Sequence, residues 1–381
     1  MSAVGAQAVE LVADLVSIDS VNPGLVDGAA GEQRIADRLA SRLERSGFTV
    51  TVVPATGRAG RPSVVAAPPV AGDVPTVVLN GHLDTVGVAG MPDPFVPRVE
   101  GDRMYGRGAA DMKGGIAGLV VAAEHLVAAG APVRPVLALV ADEEDASAGS
   151  EAVIAALPGL GVAPDACLIA EPTDLAVARS LRGFAVVRVS FPGRAAHSSQ
   201  AELGVNAVTH LGRLLHAVDQ RAPAVQARGG DLMATLVRGG SSAFVVPDHA
   251  EALVEVRTTP EQAGADALAE VRALLDPRWR AEAELVAHRD GWRVDDAGPA
   301  AALDAALDGE LGAGRTFDAP YWMEAPLWQQ LCPTLICGPS GGGLHAVDEW
   351  VDLTQVRAFA DALTRVLQDW PVSDPARSGE R

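Results

Sequence analysis

Short apolar stretches alternate with helical patterns along the first 180 residues and again towards the end of the chain. Residues 32–47 carry apolar side chains at helical spacing and end in a glycine, which predicts a helix. Apolar runs at 62–67 and 76–80 predict strands. Further strands are predicted at 49–53, 135–144, 166–174 and 334–338, and further helices at 1–20, 113–129, from 299 and from 353. Such alternation predicts an α/β fold.

A different order of elements is predicted between residues 180 and 288. It consists of a strand at 184–193, a helix at 204–220, strands at 231–238 and 251–257, a helix at 260–275 and a strand at 282–288. This β-α-β-β-α-β order is that of a ferredoxin-like α+β domain. We therefore expect residues 180–288 to form a domain inserted into a larger, discontinuous one built from 1–179 and 289–381. The last residues, 371–381, are predicted to be disordered.

Charge and composition narrow the possible partners. The chain has 49 acidic and 30 basic residues, so its formal net charge is −19. Nucleic acids and anionic membranes require a basic face, so neither is expected as a partner. We find no uninterrupted apolar run of about 18 residues, and the N-terminus resembles an amphipathic helix rather than a secretory signal. The three cysteines lie in apolar sequence without metal-type spacing, which favours buried thiols and a cytoplasmic location.

Acidic residues and a histidine stand at the ends of several predicted strands. The run LNGHLDTV ends a strand with His82 and Asp84, and two later strands end with Glu143–Glu144 and Glu171. Because ligands of α/β sheets bind beyond the carboxyl ends of strands, we expect these side chains to meet. His82 and Asp84 lie on the same face of their strand, so the carboxylate can orient the imidazole. A solvated acidic turn remains an alternative explanation for Glu143–Glu144.

Two glycine-rich segments add further candidates. YGRGAADMKGG contains Asp111, which a helix cap would also explain, and Lys113, the only lysine in the chain. The start of a helix disfavours a cation, so solubility is a poor explanation for Lys113. We expect it to have a structural pairing near the carboxylates that are candidate metal ligands. His345 follows GPSGGGL, where glycines allow close approach of backbone and ligand. Two histidines and three carboxylates suit zinc, and also cobalt or manganese.

Six segments occur in an order that resembles one family of metallohydrolases. They are NGHLDTV, YGRGAADMKGG, ADEE, AEPTD, FPGRAAHSSQAELGVNAV and GPSGGGLHAVDEWV. The chain is similar over nearly its whole length to the dinuclear zinc amidohydrolases and metallopeptidases, which include acetylornithine deacetylase, succinyl-diaminopimelate desuccinylase, aminoacylase and glutamate carboxypeptidase. The resemblance implies a zinc-hydrolase catalytic domain with a mixed central sheet flanked by helices, and an inserted lid and dimerisation domain.

The resemblance also assigns roles to individual residues. Two divalent metal ions would be held by His82, Asp111, Glu144, Glu171 and His345. Asp111 would bridge the metals, and the Asp111–Met112 peptide would be cis. Glu143 would be the general base, which moves a proton from an activated water to the leaving amine. Asp84 would orient His82, and His197 would reach from the lid into the active site of the partner in a homodimer.

Two lid residues are candidates for substrate binding. Arg257 matches an arginine that holds a substrate carboxylate in the family, although an exposed strand charge is the alternative. Phe244 stands where many relatives have an asparagine, so the substrate end there is apolar or aromatic unless Phe244 packs into the lid. The loop 317–328 has Glu324 where relatives often have aspartate. Core packing or a pocket wall would explain its aromatic residues, Tyr321, Trp322 and Trp328.

Together these features predict metal-dependent hydrolysis of an amide bond in an N-acyl amino acid or a related small molecule with a carboxylate. One alternative is a carboxypeptidase or dipeptidase, in which Arg257 would bind a C-terminal carboxylate. A second is a relative that binds a ligand without hydrolysing it, and the presence of every metal ligand and of Glu143 argues against it. The lids are expected to pair along a strand edge near 184–191, forming a homodimer.

Overall fold

The computed structural model describes residues 2–69, 74–294, 298–311 and 314–370, so the predicted disordered tail lies outside the described residues. Within them the strands are β1 (Thr49–Pro54), β2 (Pro62–Ala67), β3 (Thr76–His82), β4 (Arg98–Glu100), β5 (Arg103–Tyr105), β6 (Arg134–Val140), β7 (Ala166–Ile169), β8 (Val177–Leu181), β9 (Gly183–Pro192), β10 (Asp231–Gly239), β11 (His249–Thr258), β12 (Glu282–Arg289), β13 (Trp292–Arg293), β14 (Thr316–Ala319), β15 (Thr334–Ile336), β16 (Gly341–Gly342) and β17 (Trp350–Asp352). The helices in the same residues are α1 (Ala3–Val16), α2 (Gln33–Arg45), α3 (Gly114–Ala129), α4 (Ala148–Ala156), α5 (Ala207–Gln226), α6 (Gly264–Arg272), α7 (Gly298–Leu311), α8 (Ala325–Trp328) and α9 (Leu353–Gln368).

The largest sheet in the described residues has the strand order β1-β2-β6-β3-β7-β15. Strands β6, β3, β7 and β15 run parallel, whereas β2 is antiparallel to β6 and β1 is antiparallel to β2. Strands β2, β3 and β6 are buried along almost their whole length, as expected when both faces of a sheet are covered. This mixed sheet confirms the predicted α/β class. It also brings the carboxyl ends of the parallel strands to one edge.

Helix α3 lies at the centre of the helical layer. It packs on α1 and α9 and also on β3 and β6. Gly115 allows α3 to approach the end of β7 closely, because a Cβ there would lie 2.1 Å from the Ala170 carbonyl oxygen. The helical segment Ala109–Ala129 is long and apolar enough to cross a membrane by length and composition alone. However, 72% of its most apolar window is buried inside the protein, so its apolar side chains form core.

The described chain divides into two compact units. The first consists of Met1–Arg179, Val294–Phe317 and Glu324–Arg381, and the second of Ser180–Arg293 and Asp318–Met323. The predicted inserted range was 180–288. The second unit extends to Arg293 because β13 pairs with β8. It also includes Asp318–Met323, whose Trp322 ring packs edge-on against Phe184.

The second unit has the predicted β-α-β-β-α-β order, with β9, α5, β10, β11, α6 and β12 following one another. Its sheet has the order β10-β11-β9-β12, and every neighbouring pair is antiparallel. Alternate residues of β9, from Ala185 to Phe191, are fully buried against α5 and α6. The expectation that 184–191 forms an outer edge is wrong, because β9 pairs with β11 on one side and with β12 on the other. Its alternating pattern reflects one face that is covered by helices. Within the described residues, the outer strands of this sheet are β10 and β12.

Candidate metal centre

Three parallel strands deliver their acidic and imidazole side chains to the same edge of the large sheet. β3 ends at His82, which pairs in register with Val140, the last residue of β6. Glu143 and Glu144 follow β6 after a two-residue turn, and Glu171 follows β7. The predicted convergence of these side chains is therefore a consequence of strand register.

Asp111 lies between two imidazole rings. His82 Nε2 is 3.0 Å from Asp111 Oδ1, and His345 Nε2 is 3.2 Å from Asp111 Oδ2. Each imidazole also has its own carboxylate, because Glu171 Oε1 is 3.8 Å from His82 Nε2 and Glu144 Oε2 is 3.2 Å from His345 Nε2. The structure thus brings the five predicted ligands into two groups that share Asp111. The Asp111–Met112 peptide is cis, as expected.

The ionisation of these residues reflects crowded negative charge. Burial raises the pKa of Glu143 and Glu171 well above the usual value, and burial with the charge of Asp111 raises the pKa of Glu144. Hydrogen bonds to Asp111 and Glu144 raise the pKa of His345 to about 10. Protonation of these groups would offset part of the crowded negative charge. Divalent cations would offset the same charge, and the imidazole and carboxylate donors fit zinc, cobalt or manganese.

Glu143 belongs to the same cluster as the predicted ligands. Ligand atoms of His82, Glu143 and Glu171 lie within 4.8 Å of one another, and so do those of His82, Asp111 and Glu144. Proximity alone does not distinguish a base from a ligand here. What distinguishes the two glutamates is that Glu144 contacts the His345 ring and thereby joins the second group around Asp111.

The Asp84 carboxylate mainly accepts hydrogen bonds from backbone N–H groups. Its Oδ1 and Oδ2 accept the N–H groups of Glu143 and Glu144, both at 3.1 Å, and Oδ2 also accepts from Asn22 Nδ2 at 2.7 Å. His82 Nδ1 is 3.0 Å from the backbone carbonyl of Asp84 but 3.7 Å from its carboxylate. The closest partner that orients the imidazole is therefore the carbonyl and not the expected carboxylate, because the chain turns back towards the ring after β3.

The Glu349 carboxylate likewise accepts backbone hydrogen bonds, here from the segment that carries Asp111. Its carboxylate accepts from the N–H groups of Gly108, Ala110 and Asp111 at 2.9–3.2 Å and from Arg107 Nη1 at 2.7 Å. Sequence reasoning missed this residue. The available signal was its position within GPSGGGLHAVDEWV, four residues after His345.

Lys113 has a structural partner in the core of the first unit. Its Nζ donates to the backbone carbonyl of Ile18 at 2.9 Å, and the side chain is completely buried. Burial lowers the pKa of Lys113 to about 7. This hydrogen bond ties the start of α3 to the segment that follows α1.

His197 and Phe244 lie side by side in the second unit. His197 Nδ1 is 2.8 Å from Ser199 Oγ, and the Ser198 N–H donates to the Phe244 carbonyl at 3.0 Å. The Phe244 side chain is 71% exposed, so it does not pack into the core of this unit.

Arg257 is a paired residue. Its Nε is 2.6 Å from Glu255 Oε1, and its guanidinium lies 5.7 Å from the centre of the Phe184 ring. Both contacts lie within the second unit, and the Arg257 side chain is about one-third exposed. The contact with Glu255 uses Nε, and the terminal Nη groups are the ones that would meet a substrate carboxylate.

The aromatic loop divides between the two units. Trp328 is fully buried in the first unit, where its Nε1 donates to Ser150 Oγ at 3.1 Å. The same hydroxyl donates to Glu324 Oε2 at 2.7 Å, and burial raises the pKa of Glu324 to about 7. Trp322 lies in the second unit and donates to the Asp290 carbonyl at 3.1 Å. Core packing explains Trp328.

Comparison with known proteins is consistent across sequence and fold. The sequence profile of peptidase family M20/M25/M40 matches residues 78–369. Acetylornithine deacetylase of Proteus mirabilis (strain HI4320) is 26% identical over 385 residues, which cover 97% of this chain and 98% of that protein. Succinyl-diaminopimelate desuccinylase of Dinoroseobacter shibae is 30% identical over 402 residues, covering 95% and 98%. The M20 family metallo-carboxypeptidase Sso-CP2 from Sulfolobus solfataricus shares the fold, with a TM-score of 0.76, 16% identity and coverage of 96% and 99%.

The chain belongs to peptidase family M20/M25/M40. It is accordingly a hydrolase of amide bonds, and its relatives include deacylases as well as peptidases. The clustered imidazoles and carboxylates around Asp111 are its candidate site for divalent metal. The resemblance found in the six sequence segments is thereby confirmed at the level of the family and the fold.

Proposed function

We propose that this protein is a dinuclear zinc amidohydrolase that releases an amine from an N-acyl amino acid or a related small molecule with a carboxylate. One zinc ion would be held by His82, Asp111 and Glu171, and the other by Asp111, Glu144 and His345. The observation that carries this proposal is the geometry of Asp111, whose two oxygens face different imidazoles at 3.0 and 3.2 Å. Cobalt or manganese would suit the same donors.

Glu143 has the surroundings of a general base. Bound metal ions would supply Lewis-acid activation of water and of the amide carbonyl. The Glu143 carboxylate would take a proton from the water and deliver it to the nitrogen of the leaving amine. Burial raises the pKa of Glu143, which helps it to retain the proton between these two steps. The hydrogen bond from the Glu143 N–H to Asp84 Oδ1 holds the backbone from which this carboxylate projects.

The substrate class is supported by the relatives and by two residues of the second unit. The two relatives named above, which cover nearly the whole chain, are a deacetylase and a desuccinylase. Arg257 would bind the substrate carboxylate through its Nη groups. Phe244, which is exposed, would contact an apolar or aromatic part of the substrate.

A substrate panel tests this proposal. The purified enzyme is assayed with N-acetyl, N-succinyl and N-aroyl amino acids, with dipeptides, and with matched N-acyl amines that lack the carboxylate. We expect turnover of N-acyl amino acids that a chelator abolishes and zinc restores, and poor turnover of the amines. Faster turnover of dipeptides would favour the carboxypeptidase or dipeptidase alternative. Binding of these compounds by the zinc-loaded protein without hydrolysis of any of them would contradict an enzymatic role.

A homodimer joined through the second unit is part of the proposal. Strand β10 is an outer strand whose exposed side chains include Met233 and Val237, whereas β12 exposes Glu282 and Glu284 together with Val286. An apolar outer strand favours pairing with a second copy. A cytoplasmic location is also proposed, and the burial of Cys167, Cys332 and Cys337 supports it.

A further inference from the structure

A buried group of charged side chains contacts the turn that carries Glu143. Arg61 and Glu32 are almost completely buried and form a two-point ion pair, in which Arg61 Nε donates to Glu32 Oε2 at 2.6 Å and Nη2 contacts Oε1. Arg61 Nη1 also lies 2.9 Å from Asp142 Oδ1. A single guanidinium thereby links Glu32, the residue that precedes helix α2, to the residue immediately before Glu143.

The same group continues through backbone contacts to the Glu143 amide. Glu32 Oε1 accepts the Asp142 N–H at 3.2 Å. Asn22 Nδ2 donates both to Asp142 Oδ1 at 3.3 Å and to Asp84 Oδ2 at 2.7 Å. Asp84 in turn accepts the Glu143 N–H. A continuous path of hydrogen bonds therefore runs from Arg61 to the proposed general base.

Asp142 needs this support because of its backbone conformation. Its φ is +70°, in the left-handed region that residues with a Cβ adopt only uncommonly. Its carbonyl accepts the N–H groups of Ala146 and Ser147 at 3.1 and 2.6 Å, which closes the turn 141–147. The left-handed residue redirects the chain as it leaves β6, so its conformation determines where the next residue, Glu143, projects.

We propose that Arg61 and Glu32 are positioning residues that hold the turn 141–147, and with it Glu143, in the geometry required for hydrolysis. This inference rests on the proposed role of Glu143 as general base. The desolvation cost of a buried ion pair largely offsets its attraction, and such pairs have been retained where they fix one conformation. Since a misplacement of about 1 Å lowers a catalytic rate by up to about 100-fold, loosening of this turn would affect kcat.

Three variants and a control test the inference. Arg61→Met removes the guanidinium while retaining much of the side-chain length, and Glu32→Gln removes the charge while retaining the shape. The double variant E32Q/R61M removes both partners of the pair, so it avoids the unpaired buried charge that destabilises each single variant. The control is Arg42→Met, because Arg42 forms a similar two-point pair with Glu124, at 2.9 and 2.7 Å, between α2 and α3.

The first measurement is hydrogen exchange of the amides of residues 142–147 in the metal-free proteins. We expect faster exchange in R61M, in E32Q and in the double variant, and wild-type exchange in R42M. The second is steady-state kinetics of the metal-saturated enzymes. The single variants should lose about 10- to 100-fold in kcat with KM unchanged, and the double variant should resemble a single one, because both residues act through one turn.

Unchanged exchange in the folded variants would overturn the inference, because the ion pair would then not hold the turn. Faster exchange with unchanged kcat would also overturn it, since the turn would be held for a reason unrelated to the reaction. If wild-type protein hydrolyses no substrate, the proposed function fails instead. The exchange measurement still decides in that case whether Arg61 and Glu32 hold the turn.

Discussion

Asp111 directs its two carboxylate oxygens to different imidazoles, and this division defines the centre. Burial alone would raise the pKa of Asp111, but hydrogen bonds from His345 and His82 outweigh burial and hold it below the usual range. The carboxylate therefore stays ionised where the neighbouring glutamates tend to bind protons. A carboxylate that favours its ionised form between two nitrogen donors suits two adjacent cations.

The adjacent residues Glu143 and Glu144 should respond differently to the same substitution. Glu143→Ala should keep both metal ions and lose about 10²- to 10⁴-fold in kcat, because only the base is removed. Glu144→Ala should lose one metal ion, because His345 then retains only Asp111 as a neighbouring donor. Metal content by elemental mass spectrometry and steady-state kinetics would check this, with the exposed Glu10→Ala as control. Equal loss of metal in both variants would show that base and ligand are misassigned.

The raised pKa values also predict opposite pH effects with and without metal. Glu143, Glu171 and His345 bind protons more tightly in the folded metal-free chain than in the unfolded chain, so their contribution to stability falls as pH rises. Metal ions need deprotonated ligands, so metal binding releases protons and strengthens as pH rises. The difference in Tm between zinc-loaded and metal-free protein should therefore grow from about pH 6 to about pH 8. A constant or shrinking difference would contradict these assignments.

The residues that contact the centre differ in how far sequence reveals them. His82, Glu143, Glu144 and Glu171 follow predicted strands, so the parallel arrangement is enough to bring them together. The hydrogen bonds of Asn22 and Glu349 to this centre, and the contact of Arg61 with Asp142 beside it, could not be predicted in the same way. They join residues far apart in sequence, and their geometry depends on strand register and on turns such as Asp142, whose φ is positive.

At the scale of elements, hydrophobic periodicity identified the long helices and strands but not which strands pair with one another. Strand β9 does alternate between buried and exposed residues, but it lies between β11 and β12 rather than at the edge of the sheet. An alternating pattern shows that one face of a strand is covered, and it does not show whether the strand has a neighbour on each side. Helix α4 was missed, as were short strands such as β8 and β13, and strands this short do not show a period. Strand β6 ends at Val140 rather than at 144, because Asp142 turns the chain.

The two outer strands of the second unit offer a matched test of the proposed dimer. Val237 on β10 is 51% exposed and Val286 on β12 is 38% exposed. Val237→Lys places a charge on the apolar outer strand and should give monomers, since a charge on an edge opposes strand pairing. Val286→Lys should leave the dimer intact. Light scattering after gel filtration at matched concentrations would measure both, and a dimeric V237K protein would exclude β10 as the interface.

At the scale of the whole molecule, the proposed roles are divided between the two units. All five predicted metal ligands and Glu143 belong to the first unit, whereas His197, Phe244 and Arg257 belong to the second. The division follows the chain, because the second unit is an insertion with its own sheet and core.

The family resemblance predicts that His197 acts in the site of the partner subunit. Glu143→Ala and His197→Ala chains should each be inactive as homodimers. Mixed dimers should recover activity, because one site then combines an intact first unit with an intact His197 from the other chain. Activity after refolding the chains together, with separate tags to quantify mixed dimers, is the measurement. Mixed dimers that form and remain inactive would show that His197 does not act across the interface.

The central claim, two metal ions sharing Asp111, is tested most directly by metal stoichiometry in wild-type and Asp111→Ala proteins, measured with turnover on the same samples. We expect wild-type protein to bind about two zinc ions per chain when loaded and to lose activity on chelation. Asp111→Ala should fall well below this loading and be inactive, because both groups of ligands lose their shared carboxylate. Full loading of Asp111→Ala with two ions would contradict the account.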